Sequence, residues 1–250
     1  MPDCDKNLPR WRSVKHRVGL LIPSSNSQIE PEYYAVMPPS VGVHFARVAL
    51  TEVSDAGFAR QDADVVAQSR MLATANVDVI LFCITAASFY RGLDYDAELK
   101  RRIEAACGVP ALTAAQTVID ALHTLKVRRI ALATPFAPVG NERAQRFLDA
   151  NGFEVVAVDG LGYTDNFSIA LIDLDTVRDL VRRVNTDAVE AIVIPGGNMP
   201  CLSIVEEMEA ELGKPVVTTN EAGIWALLRH LGSVDHVDGA GRLLQDHLML

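Results

Sequence analysis

The amino-acid sequence predicts an α/β fold made of two similar halves, each built on a parallel β-sheet. Short runs rich in branched apolar residues alternate with segments of helical spacing along the chain. Residues 77–83 (VDVILFC) are almost entirely apolar, which is typical of a parallel strand covered on both faces. Residues 108–122 (GVPALTAAQTVIDAL) and 213–227 (GKPVVTTNEAGIWAL) share Gly, Pro, Thr, Ala and Leu at a fixed offset of 105. This match indicates an internal duplication.

The individual elements follow one plan in both halves. In the first half the predicted strands are 18–22, 43–48, 77–83 and 110–113, and the predicted helices are 61–75, 94–106 and 115–125. In the second half the predicted strands are 129–133, 154–158 and 191–194, and the predicted helices are 141–150 and 175–184. Because strands alternate with helices, the strands of each sheet are expected to run parallel and to bind ligands at their carboxyl ends.

The domain organisation follows from these elements. Residues 1–16 are predicted to form an N-terminal arm, 17–115 the first half, 116–232 the second half and 233–250 a C-terminal tail. The last helix of the second half is placed so that it can pack back on the first half. No Pro/Ser-rich linker separates the halves, so an active site is expected in the cleft between them.

Composition argues against a nucleic-acid partner and against a membrane. The formal net charge is −9, with 32 Asp and Glu against 23 Lys and Arg. The basic cluster at 10–17 (RWRSVKHR) is interpreted as a solvated part of the N-terminal arm. No apolar run approaches the length of a membrane span, and the first residues lack the apolar core of a signal peptide.

Cysteine spacing points to the cytoplasm. The four cysteines, at positions 4, 83, 107 and 201, lie far apart and form no CxxC pair. A disulfide framework is therefore not expected, and free thiols are consistent with a reducing compartment.

Polar residues follow the first predicted strand in the corner Pro23-Ser24-Ser25-Asn26. Small hydroxyls and an amide before a helix suit an anion, because the first N–H groups of a helix lack internal partners. The alternative is that Ser25 or Asn26 only caps the helix. We predict that Ser25 and Asn26 bind substrate.

The third strand ends in a second candidate site, Cys83-Ile84-Thr85-Ala86. The Cys83 thiol is predicted to act as a catalytic acid, base or nucleophile, and the Thr85 hydroxyl to stabilise an oxyanion. Ile84 and Ala86 are predicted to line the substrate site beside them. The alternative for Cys83 is a small buried hydrophobe, as most free cysteines are.

The matching strand of the second half ends in PGGNMPC (195–201). Gly196 and Gly197 let backbone amides approach a ligand closely, although two glycines also suit a tight turn. Asn198 is predicted to bind substrate and Cys201 to act in catalysis. Two further candidate positions lie in this half: Phe136, at the end of the strand that matches the first strand, and Asn166, in a loop.

Motifs for nucleotide cofactors and catalytic zinc are missing from the sequence. It contains no GxGxxG after a strand, no GxxxxGK[ST], no GxSxG and no HExxH. The six histidines do not pair at metal-ligand spacing. We therefore predict neither a metal nor an organic cofactor.

With these residues laid out, the sequence resembles the aspartate/glutamate racemase superfamily, in its branch of maleate cis-trans isomerases and arylmalonate decarboxylases. The matching pieces are VGLLIPSSN (18–26), SFYRG (88–92), VRRIALAT (127–134), NER (141–143) and GKPVVTTNEAGIWALLR (213–229). The resemblance implies two flavodoxin-like halves related by pseudo-twofold symmetry, an active site between them, and no metal or cofactor. It also implies a cysteine from each half, one on each face of the substrate.

The resemblance has one clear departure, at the two cysteines. Alignment on the family's motifs puts Ile84 and Gly196 at the usual thiol positions and Phe136 at a frequent tyrosine. Cys83 lies one residue before the first of these positions, and Cys201 lies five residues after the second.

The binding positions, in contrast, match the isomerase pattern. Asn26 and Asn166 match positions that hold substrate carboxylates, and Thr85 matches an oxyanion donor.

Three functional hypotheses remain open at this point. The first is a cofactor-independent, maleate cis-trans isomerase-like enzyme acting on a small (di)carboxylic acid, with arylmalonate-type decarboxylation or Asp/Glu-type racemisation as the alternative. The second is a related enzyme whose chemistry needs no thiol. The third is a non-catalytic carboxylate-binding protein. A small carboxylate is the expected partner in each case, and relatives of this kind are commonly homodimers or larger homo-oligomers.

Overall fold

The first half of the molecule is a four-stranded parallel sheet. The computed structural model describes residues 14–233, 237 and 239–248. The strands are β1 (His16–Pro23), β2 (Val41–Val48), β3 (Val79–Phe82) and β4 (Ala111–Thr113), in the order β2-β1-β3-β4. All four run parallel, as β1 pairs with β2 and β3, and β3 pairs with β4.

Helices connect these strands and cover the sheet. They are α1 (Ile29–Val36), α2 (Asp55–Ala73), α3 (Thr85–Arg91), α4 (Leu93–Cys107) and α5 (Ala114–Thr124). Every residue of β3 is buried, as its apolar sequence predicts for a strand covered on both faces.

The second half repeats this plan. Its strands are β5 (Arg129–Phe136), β6 (Glu154–Tyr163), β7 (Ala191–Ile194) and β8 (Val216–Thr218), in the order β6-β5-β7-β8 and again all parallel. Its helices are α6 (Pro138–Ala150), α7 (Asn166–Ile169), α8 (Leu174–Val184), α9 (Val205–Leu212) and α10 (Thr219–His230), followed by α11 (Arg242–Asp246). The predicted fold of two pseudo-symmetric parallel-sheet halves is therefore confirmed.

Hydrogen bonds between strands and loops repeat with the same symmetry. The Asp78 carboxylate accepts the backbone N–H of Arg17 at 2.8 Å. At positions 112 residues later, the Glu190 carboxylate accepts the backbone N–H of Arg129 at 2.9 Å. The same offset pairs Ile84 with Gly196, at the ends of β3 and β7.

The two halves are joined by helices α5 and α10, which pack against each other. Helix α10 also contacts α1 and β3 of the first half. Gly223 of α10 is part of this contact, since a Cβ at this position would collide with the Tyr33 hydroxyl and lie 3.0 Å from Leu81. The missing side chain therefore lets α10 lie directly on the first half.

Several elements differ from the sequence prediction. Helix α2 begins at Asp55 rather than near residue 61, because the Ser54 hydroxyl caps it by accepting the Gly57 N–H. Helices α3, α7 and α9 were not predicted, and α1 was expected only as a helix of unstated length after Asn26; all four have eight residues or fewer, too short for a clear period. The segment predicted as a tail contains α11, whose Leu243 and Leu244 are buried.

The N-terminal arm can be compared only in part, because residues 1–13 of the predicted arm (1–16) lie outside the described residues. Within the part of the chain that is described, no helix is long and apolar enough to cross a membrane.

Candidate active site

A narrow cavity lies where the strand ends of the two halves meet. Its volume is about 30 Å³, room for roughly two ordered water molecules. The walls come from both halves: Pro23, Asn26, Leu50, Val53, Cys83, Ile84, Thr85, Ala86, Phe136, Asn166, Ile169, Gly196, Gly197 and Asn198. Both halves therefore contribute to one shared cavity.

Asn26 joins the first half to the second at the cavity wall. Its Oδ1 accepts the backbone N–H groups of Gln28 at 3.1 Å and Ile29 at 2.9 Å, which caps the start of α1. Its Nδ2 donates to the Gly197 carbonyl at 3.3 Å. Asn26 is only 3% exposed, so its amide is a fixed neutral donor beside the cavity.

Ser25 and Asn166 form a second link across the cleft. The Ser25 hydroxyl donates to the Leu50 carbonyl at 2.6 Å and accepts from Asn166 Nδ2 at 2.8 Å. The backbone N–H of Asn166 donates to the Thr51 carbonyl at 3.1 Å. Asn166 lines the cavity, whereas Ser25 lies behind it and orients the Asn166 amide.

The loop after β7 contributes backbone donors to the cavity. Gly196 has a φ of +103°, a conformation that favours glycine, and its N–H donates to the Thr219 hydroxyl at 3.1 Å. The N–H groups of Gly197 and Asn198 donate to no acceptor within the described residues. Asn198 fixes the loop through its side chain, which accepts from the Ser27 N–H at 2.9 Å.

The loop after β3 supplies the hydroxyl and the thiol of the site. Thr85 is 2% exposed, and its hydroxyl makes no hydrogen bond within the described residues. Cys83 lines the cavity, but its thiol contacts the Leu81 carbonyl at 3.5 Å and the Tyr33 hydroxyl. Burial raises the pKa of the Cys83 thiol, and the hydrogen bond from Tyr33 opposes that increase.

Cys201 lies outside the cavity wall. It is 3% exposed, and its backbone N–H points to the Glu32 carboxylate at 3.5 Å. Burial, with Glu32 and Glu221 nearby, raises the pKa of the Cys201 thiol well above its usual value. Cys201 therefore does not reach the cavity, as its predicted catalytic role would require.

The structure gathers most of the predicted site residues at one place. Only Ser25 and Cys201 of the predicted set do not line the cavity. Leu50, Val53 and Ile169 line it but were missed, since they lie in or beside loops whose position depends on tertiary packing. Leu50 and Val53 follow the second strand of the first half, and that strand end is the signal that could have found them.

The electrostatic character of the cavity is neutral. None of the side chains that line it is charged, and its polar groups are amides, one hydroxyl and backbone N–H groups. Within the described part of the chain, no three His, Cys, Asp or Glu side chains are grouped to hold a metal ion. A carboxylate that enters the cavity would lose water and be held by fixed neutral donors.

Comparison with known proteins places this arrangement in a family. The sequence model of the arylmalonate decarboxylase family matches residues 18–244, which is nearly the whole described chain. The chain belongs to the arylmalonate decarboxylase family. The resemblance to the branch of isomerases and decarboxylases is thereby confirmed.

Members and relatives of the arylmalonate decarboxylase family with two different activities are about equally similar to this chain. A maleate isomerase from Pseudomonas putida is 30% identical over 242 residues, covering 92% of this chain and 97% of the relative. An arylmalonate decarboxylase from Bordetella bronchiseptica is 30% identical over 232 residues, covering 92% and 96%. Overall similarity therefore does not separate the two reactions.

A solved structure of one relative contains a covalent adduct on a cysteine. It is a Nocardia farcinica maleate cis-trans isomerase variant, with one cysteine replaced by serine, that holds a covalently bound succinylcysteine intermediate. Its TM-score is 0.88 at 28% identity, covering 92% of this chain and 98% of that chain.

Proposed function

We propose that this chain is a cofactor-independent isomerase-like enzyme that acts on a small dicarboxylic acid, as maleate cis-trans isomerases do. The observation that carries the proposal is the pairing of Asn26 and Asn166, one amide from each half, at a single cavity. Two amides from opposite halves suit a substrate with a carboxylate at each end.

The free cysteines Cys83, Cys107 and Cys201 support a cytoplasmic location.

The proposed reaction uses Cys83 as the nucleophile. The thiolate adds to one alkene carbon, and the electron pair of the double bond moves onto the oxygens of the adjacent carboxylate. The central bond is then single and rotates, after which the electron pair returns and the thiolate leaves. The Thr85 hydroxyl and the N–H groups of Gly197 and Asn198 would stabilise the extra negative charge on the oxygens.

Tyr33 is the group that supports this thiolate. Its hydroxyl hydrogen-bonds the Cys83 sulfur, which favours the charged form of the thiol. Because burial raises the pKa of Cys83, the thiolate is the minor form at neutral pH. Turnover by this route should therefore rise with pH across the neutral range.

Replacement of each thiol tests the proposal. We expect Cys83→Ala to abolish conversion of maleate to fumarate, because the covalent step is lost. Cys107→Ala removes a thiol from the end of α4, far along the chain from the cavity loop, and should keep wild-type turnover. Proton NMR of the substrate measures both variants, and full activity of Cys83→Ala would refute the role of Cys83.

Decarboxylation of a substituted malonate is the second candidate. It is favoured by the neutral, largely apolar wall, in which Val53, Phe136 and Ile169 surround the polar donors. A carboxylate against such a wall is destabilised. When CO₂ leaves, the electron pair of the broken C–C bond passes to the remaining carboxylate as an enediolate, which then takes up a proton from solvent. This reaction needs an oxyanion site but no nucleophilic thiol, so it should survive in Cys83→Ala.

A further inference from the structure

A polar cluster lies behind the cavity and joins α1, α10 and the loop after β7. Asn220, at the start of α10, is 2% exposed. Its Nδ2 donates to the Glu32 carboxylate at 2.5 Å and to the Gly197 carbonyl at 3.1 Å. Its Oδ1 accepts no hydrogen bond within the described residues, so the two bonds from Nδ2 orient the amide.

Glu32 reaches the far end of the same loop. One carboxylate oxygen accepts from Asn220, while the other faces the backbone N–H groups of Cys201 at 3.5 Å and Leu202 at 3.4 Å. Glu32 and Asn220 together therefore contact both ends of the loop, Asn220 at Gly197 and Glu32 at Leu202. No Lys or Arg pairs with Glu32 among the described ion pairs.

These contacts fix the direction of one peptide group at the cavity. The Gly197 carbonyl is held from two sides, by Asn26 at 3.3 Å and by Asn220 at 3.1 Å. In a trans peptide the N–H of Asn198 points opposite to that carbonyl. The contact is close, since a Cβ on Gly197 would lie 2.6 Å from the Asn220 Oδ1.

We propose that Glu32 and Asn220 are positioning residues that hold the loop 196–198 so that its free N–H groups face the bound carboxylate. Neither residue lines the cavity, so both act through the loop rather than on the substrate. The inference rests on the proposed binding of a carboxylate in this cavity.

The hydrogen bonds around residue 32 require an ionised carboxylate there. Both oxygens face N–H donors, so a glutamine would turn its own NH₂ group towards one of them. A protonated carboxyl would create the same conflict through its O–H. Burial raises the pKa of Glu32 to about 7, so the loop should be held in about half of the molecules at pH 7 and fully held only above it.

The other titratable groups that face Glu32 are uncharged near neutrality. They are Tyr33 on its own helix, Cys201 on the loop and, beyond Tyr33, Cys83 after β3. Burial raises the pKa of each of these groups further above its ordinary alkaline value. A loss of loop order as the pH falls through 7 is therefore assigned to Glu32.

Kinetics of Glu32→Gln give the first test. We expect kcat to fall about tenfold or more, because a displacement of the donors by a fraction of an ångström weakens their contact with the reacting oxygens. The rise of turnover with pH that comes from the Cys83 thiolate should remain, whereas the added steepness below pH 7 that comes from Glu32 should be lost. Glu142→Gln is the matched control, since Glu142 is exposed on α6 and pairs only with Arg146 at 3.8 Å; it should behave as wild type.

The double variant Glu32→Gln/Asn220→Ala separates a shared role from two independent ones. If both residues act through one loop, the double variant should be no less active than the less active of the two single variants. Additive losses would overturn the shared role. Wild-type kcat and an unchanged pH profile in Glu32→Gln would overturn the positioning role itself.

An NMR titration tests the inference independently of the reaction. The amide shifts of Gly197 and Asn198 in the wild-type protein should titrate near pH 7 and should not do so in Glu32→Gln. If they titrate while no substrate is converted, the proposed function fails and the positioning role stands. If they stay constant from pH 5.5 to 8.5 in an active wild-type enzyme, the positioning role fails.

Discussion

The two polar atoms of the Asn26 side chain have different roles, one in the fold and one at the cleft. Its Oδ1 caps α1, while its Nδ2 faces the second half at the cavity wall. An aspartate would keep the cap, because its oxygens accept the same two N–H groups. It would lose the donor and add a negative charge where a carboxylate is expected to bind.

We therefore predict that Asn26→Asp binds dicarboxylates at least tenfold more weakly and melts at a lower temperature, because its buried carboxylate faces the Gly197 carbonyl. Two like charges about 4 Å apart cost roughly 1 to 4 kcal/mol at a protein surface, and about 1.4 kcal/mol is a factor of ten in Kd. Calorimetric titration with maleate and a thermal melt measure the two effects. Asn76→Asp makes the same change at an exposed loop position and should leave Kd unchanged. Wild-type affinity in Asn26→Asp would contradict the role of Asn26.

At the residue scale, the sequence located the polar residues of the cavity but not their supports. Asn26, Thr85 and Gly196 follow directly after strands, so their position at the cleft follows from the parallel order of the sheet. Glu32 and Asn220 lie 188 residues apart and meet only because α10 packs on the first half. No local sequence pattern indicates that these two residues are in contact.

At the scale of elements, α10 packs closely on the first half because residue 223 is a glycine and has no side chain in the contact. An alanine usually stabilises a helix relative to glycine by about 1 kcal/mol. Here its Cβ would collide with the Tyr33 hydroxyl, which contacts the Cys83 thiol. Overpacking of this kind costs about 1–3 kcal/mol.

We predict that Gly223→Ala lowers the free energy of unfolding and also lowers turnover, because Tyr33 is displaced from Cys83. Tyr33→Phe removes the colliding oxygen, so the double variant Gly223→Ala/Tyr33→Phe should recover much of the lost stability. Urea denaturation measures both variants. A Gly223→Ala protein more stable than wild type would show that α10 does not lie this close.

The two halves repeat individual hydrogen bonds as well as strands and helices. Glu104 and Glu209, 105 residues apart, each accept a backbone N–H at the start of the next strand, from Ala111 at 3.1 Å and Val216 at 3.0 Å. Boundaries of the elements were predicted less well. Strand β6 extends to Tyr163 rather than 158, since pairing with β5 continues past a register shift that single-sequence patterns do not reveal.

For the whole molecule, buried carboxyl groups dominate the dependence of stability on pH above 5. Burial raises the pKa of Glu32 to about 7 and of Asp96 to about 6, and it also raises the pKa of Glu209 and Glu221. In the unfolded chain these groups ionise near their ordinary values of about 4. Between these values the folded state binds more protons than the unfolded state.

We therefore predict that the fold loses stability as the pH rises from 5 to 8. The sign follows from linkage: stability falls with rising pH wherever the folded state holds more protons. A pKa shift of about two units corresponds to roughly 3 kcal/mol in the free energy of unfolding. Urea denaturation should readily measure a change of this size. The stability of Glu32→Gln should depend less steeply on pH. A wild-type stability that is constant or rises over this range would contradict the assignment.

In the proposed mechanism, a dicarboxylate bound between the two halves is isomerised through Cys83. Proton NMR in D₂O, with wild-type protein and maleate beside aryl- and alkylmalonates, distinguishes this reaction from decarboxylation. We expect maleate to be converted to fumarate by the wild type and not by Cys83→Ala. Persistence of maleate, together with loss of CO₂ and uptake of deuterium by a malonate, would contradict it and assign the decarboxylase reaction instead.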